Sequence, residues 1–93
     1  MKKLEKKFSK KGFIYTQLKR VGNKAIYSQK REENDAKQLR YEVIVIKSHD
    51  GYEIAGNKIP AGEVYPSSTQ WGTLGWTFVD LQDAENKFKK LKE

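Results

Sequence analysis

The chain has 93 residues, enough for one domain and too few for two independent cores. It contains no cysteine and one histidine, His49, which excludes a disulfide framework, a thiolate metal site and a histidine cluster, so no metal or cofactor is expected. Nineteen Lys and Arg against twelve Asp and Glu leave a net charge of +7, a bias toward polyanionic partners, while a chain this short leaves little depth for an enzyme's cavity.

Residues 1–12 hold six lysines with Leu4 and Phe8 four apart, followed by Gly12. Two readings fit: a short N-terminal helix capped by the glycine, or a flexible basic arm that orders only against an anion. Met1-Lys2-Lys3 opens like a signal peptide, but Leu4-Glu5-Lys6-Lys7 supplies no apolar stretch, so a cytoplasmic protein is expected.

Phe13 to Arg20 is rich in aromatic and β-branched residues, Val21-Gly22-Asn23-Lys24 is turn chemistry, and Ala25 to Lys30 completes a β-hairpin. Past the polar stretch 31–37, Leu39, Tyr41, Val43 and Val45 alternate with Arg40, Glu42, Ile44 and Ile46, the strongest strand signal in the chain. Val43 to Ile46 is apolar on both faces, which predicts a central strand covered on each side. It is also the longest apolar run, far short of the roughly 18 residues that cross a bilayer.

His49-Asp50-Gly51 reads as a turn and Tyr52 to Ala55 as a short strand before Gly56-Asn57. Residues 59–78 hold both prolines and three of the seven glycines, and read as a loop ending in a strand at 75–79. Asp80 is placed to cap a helix whose Leu81, Ala84, Phe88 and Leu91 form one apolar stripe, with lysines crowding the last turns. The whole reads as a single α+β domain over 1–93, a small antiparallel sheet of three to five strands packed against a C-terminal helix.

Two sets of residues could carry function. The cations Lys19, Arg20, Lys24, Lys30 and Arg31 around the hairpin could contact phosphates, or simply face solvent. The rings of Tyr65, Trp71 and Trp76 could stack on bases or meet a protein partner; the alternative is that Trp71, Trp76 and Phe78 form core under the helix. Rings and cations are separated in sequence: residues 48–79 are net −2 and the remainder +9. Single-strand binders usually interleave the two.

Catalysis finds no recognisable nucleophile–base pair, and His49 beside Asp50 reads as structural. Gly72 and Gly75 with Ser67, Ser68 and Thr69 lack the lysine and order of a phosphate-binding loop.

Trp71-Gly72-Thr73-Leu74-Gly75, then Phe78 and a helix with Ala84, Phe88 and Leu91, resembles the WGR domain over residues 39–92. That resemblance implies a small sheet plus helix that binds nucleic acid, with Trp71 as a contact. Thr73 stands where the family has its arginine, and the interval from Gly75 to Phe78 is shorter than the family's. The lysine-rich, cysteine-free character also resembles small phage or mobile-element proteins. The leading expectation is a non-enzymatic nucleic-acid-binding accessory domain. The alternative is a protein-interaction module, an inhibitor or adaptor, that presents the aromatic loop 65–76.

Overall fold

The computed structural model describes residues 3–31 and 39–91. In chain order these form strands Lys7–Lys10 (β1), Phe13–Val21 (β2), Lys24–Arg31 (β3), Arg40–Val45 (β4), Lys47–His49 (β5), Tyr52–Ile54 (β6), Asn57–Ile59 (β7) and Gly62–Val64 (β8). A 3₁₀ turn at Ser68–Gln70, strand Gly75–Phe78 (β9) and helix Leu81–Lys90 (α1) follow. Met1, Lys2, the polar connection 32–38, Lys92 and Glu93 lie outside the described residues.

Five strands make one antiparallel sheet in the order β1-β2-β3-β4-β9; β5 pairs with β8 and β6 with β7 in two small ribbons. The hairpin of β2 and β3 turns at Gly22-Asn23 as its sequence predicts, with one irregularity between Gln17 and Lys19 that leaves Leu18 out of register and exposed.

Strands β3 and β4 are central, and their alternating residues feed two cores. Ile26 and Val43 pack with Ala84 and Phe88 of α1 on one face; Ala25, Tyr27, Ile44 and Ile46 pack on the other with Leu4, Phe8, Tyr15, Tyr65 and Trp71. The apolar run 43–46 is therefore covered on both sides, by a helix on one and by the 65–71 segment with the N-terminal strand on the other.

The N-terminal segment departs from the helical reading. Lys11 (φ 53°) and Gly12 (φ 83°) form a two-residue turn that folds β1 back along β2, with Lys10 opposite Phe13 and Phe8 opposite Tyr15. Both turn positions need positive φ, which glycine adopts freely. The Phe8 and Tyr15 rings stack 5.0 Å apart. A helix of about ten residues cannot hold itself together in water, so burial of Phe8 in the sheet decides the conformation. The lysines of this edge strand discourage further pairing.

Asp80 caps helix α1, its carboxylate accepting from the Gln82 backbone N–H at 2.8 Å. Its C-terminus is closed from outside: the Lys24 ammonium donates to the Phe88 and Leu91 carbonyls, each at 3.1 Å. Among the described residues no helix is long and apolar enough to cross a membrane.

Candidate functional site

Strand register sorts the sheet face opposite the helix into transverse rows, because alternate residues share a face. From the open end inward these are Lys10, Phe13 and Arg31; then Phe8, Tyr15, Gln29 and Arg40; then Gln17, Tyr27, Glu42 and Thr77; then Arg20, Ala25, Ile44 and Gly75. Lys10, Arg31 and Arg40 thus stand toward one end of this face and Arg20 at the other, with aromatic rings between them and one carboxylate, Glu42, in the row of Tyr27 and Thr77.

The segment 65–74 folds over the middle rows. The Tyr65 ring meets those of Phe8, Tyr15 and Tyr27 at centroid distances of 5.5, 5.6 and 5.3 Å. Trp71 stacks beside Tyr65 at 6.4 Å and rests directly on Gly75. A turn clamped by Gly72 N–H to Gly75 carbonyl (2.7 Å) and Leu74 N–H to Gln70 carbonyl (2.8 Å) sets the indole there.

Glu42 is only 6 % exposed, and its partners come from this segment and β9. Oε1 accepts from the Tyr65 hydroxyl at 2.5 Å; Oε2 accepts from Thr77 at 3.5 Å, whose oxygen in turn accepts from the Trp71 indole N–H at 2.9 Å. Burial pushes the Glu42 carboxyl up from the ordinary carboxylate value, against the opposing pull of those hydrogen bonds and of the Lys10 charge. Burial and the adjacent carboxylate push the Tyr65 phenol far up, so it stays a hydrogen-bond donor.

Between the β1–β2 turn and the 65–71 segment lies a groove of about 530 Å³, lined by Lys10, Lys11, Tyr15, Glu42, Tyr65, Trp71 and residues 66–68. It combines ammonium groups for anions, ring faces for stacking, and a buried acceptor.

The five hairpin cations do not form one patch. Lys19 pairs with Glu85 at 3.4 Å and lies 5.1 Å from the Phe88 ring centroid. Lys24 caps the helix and sits 4.7 Å over the same ring. Arg20, on the opposite face, grips Glu63 through two bonds of 2.8 and 2.6 Å. Lys30 and Arg31 are exposed at the other end of β3, about 20 Å from Lys24 at strand rise, with Arg31 over Phe13 on the groove face. Three of the five therefore serve the fold.

Nor do the three rings form one exposed patch. Trp76 pairs with Val43 and so faces the helix side, where the Lys87 ammonium lies 4.1 Å over its ring; Phe78 lies on that side too. Trp71 is on the opposite face and Trp76 is half-buried beside Lys87, so of Trp71, Trp76 and Phe78 only Phe78 packs against the core under the helix.

Sequence reasoning took Lys10 and Lys11 only as part of a basic N-terminal segment that could meet an anion, and did not single out Tyr15 or Glu42. One signal was there: Glu42 is the single acidic residue in the strand 40–45, next to the apolar run 43–46, and it shares a face with Ile44. No family model matches this chain, and no curated protein or solved structure matches it.

Proposed function

We propose that this chain is a non-enzymatic, cytoplasmic module that binds single-stranded nucleic acid in the groove between the β1–β2 turn and the 65–71 segment. The observation that carries this reading is the interleaving of cations and rings. Lys10 and Lys11, from one end of the sequence, line the same groove as Tyr65 and Trp71 from the other, with Arg31 and Arg40 on the same sheet face. A basic groove that follows phosphates beside rings that accept stacked bases is the general chemistry of single-strand binding. A duplex keeps its base faces stacked and would offer these rings nothing. The WGR-like Trp71-Gly72 turn would place the same indole against the ligand.

Fluorescence anisotropy with a labelled oligothymidylate, at low and at physiological salt, tests the reading. Binding should weaken steeply with salt. Lys10→Ala with Lys11→Ala should lower the slope of log K against log salt by about 1.4, at about 0.7 per phosphate contact on a single strand. Absence of binding at low salt, or binding indifferent to salt, would sink the proposal and turn attention to a protein partner.

A further inference from the structure

Single-strand binding as such gives no role to the carboxylate in the groove. Phosphates are repelled by it and stacking does not use it, yet Glu42 is buried at a cost that an amide in its place would avoid. What it offers is acceptance. A carboxylate has about four lone-pair positions, and Tyr65 and Thr77 occupy one on each oxygen, which leaves each oxygen able to accept once more. Those two partners, with the Trp71 indole behind Thr77, also hold the carboxylate in one orientation. Lys10, whose charge acts on Glu42, supplies a donor in the same groove.

Among the bases, guanine alone carries two adjacent N–H donors on its Watson–Crick edge, N1–H and the N2 amine, spaced to meet the two oxygens of a carboxylate, with the O6 acceptor alongside. Adenine and cytosine each set one amine next to a ring-nitrogen acceptor, and thymine and uracil flank one N–H with two carbonyls. Those acceptors would face the carboxylate and be repelled. We propose that Glu42, with Lys10 opposite O6, makes the groove selective for a guanine base; this rests on the single-strand reading above. Lys11 and the rings then contribute affinity without sequence preference.

The probes are labelled twelve-residue oligothymidylates with one central thymine, guanine, hypoxanthine, adenine or cytosine, titrated into the wild-type protein and Glu42→Gln. The guanine probe should bind about 10-fold more tightly than the thymine, adenine and cytosine probes, within the range of a good bidentate base contact. Hypoxanthine, which lacks the N2 amine, should lose most of that advantage. In Glu42→Gln the preference should fall to about 2-fold or less, because the amide presents a donor to a donor edge.

Equal binding of all five probes overturns guanine selection and leaves single-strand binding standing; absence of binding to any probe overturns both. Guanine preference that persists in Glu42→Gln removes Glu42 from the role. Should that variant fail to fold, the hypoxanthine probe on the wild-type protein decides: hypoxanthine binding as tightly as guanine overturns the two-donor contact.

Discussion

A methyl group on Gly75 would lie 2.5–2.8 Å from three carbons of the Trp71 indole, closer than any real contact. Glycine is required there by the ring resting on it, not by backbone conformation. Gly75→Ala should therefore push Trp71 off the sheet and break its bond to Thr77, at a cost of about 1–3 kcal/mol, the usual range for overpacking. Urea unfolding measures that cost. In a Trp76→Phe background, where Trp71 alone emits, the displaced indole should shift its fluorescence to the red, and oligothymidylate binding should weaken with it. An unshifted spectrum would mean that the ring tolerates the methyl group.

At the scale of elements, helix α1 shows how one apolar stripe divides into residues that hold the fold and residues that do not. Leu81, Ala84, Phe88 and Leu91 share the predicted face, but Ala84 and Phe88 are buried while Leu81 is 40 % exposed. Phe88 packs on Ile26 and Val43 and carries the ammonium groups of Lys19 and Lys24 over its ring. Phe88→Ala should cost about 3–5 kcal/mol, the usual price of truncating a core aromatic, against about 0.5 kcal/mol or less for Leu81→Ala. Chemical denaturation of the two variants checks the ratio, and comparable losses would mean that the stripe contributes evenly.

Across the whole molecule, one ion pair ties together segments that are far apart in sequence. Glu63 of β8 accepts from both terminal nitrogens of Arg20 on β2 and from the Leu4 backbone N–H at 2.8 Å, so it joins the main sheet, the β5–β8 ribbon and the N-terminal segment. The Arg20 guanidinium holds the Glu63 carboxyl down at about 2, from 4.5. A carboxyl whose pKa is lowered by folding contributes stability that is present above the unfolded value and is lost as pH falls toward the folded one. Glu63→Gln should therefore melt at a lower temperature than the wild type at pH 7, and the two should converge as pH approaches about 2. A constant difference across that window would show that the bond to Leu4, rather than the charge pair, holds the corner. Arg20 was legible in the sequence as a cation but not as this clamp, because its partner lies on a strand that pairs elsewhere.

The sequence by itself determined the elements whose causes are local. Gly22-Asn23 between two β-rich runs specified the β2–β3 hairpin; the alternation through 39–46 specified β4 and its central place; Asp80 and the Ala84–Phe88 spacing specified α1 and its buried face. Tertiary structure alone decided what depends on pairing between distant segments. The stacking of Phe8 on Tyr15 made the N-terminus a strand rather than a helix. The side of β4 on which each tryptophan fell depended on the register of β9 and on the turn before it. Lys19, Arg20 and Lys24 could bind an anion or serve the fold, and their choice was set by Glu85, Glu63 and the end of a helix. The groove followed from the same cause: charge and aromaticity separate along the chain, and the register of β1 on β2 and the fold of 65–71 over Glu42 bring them together.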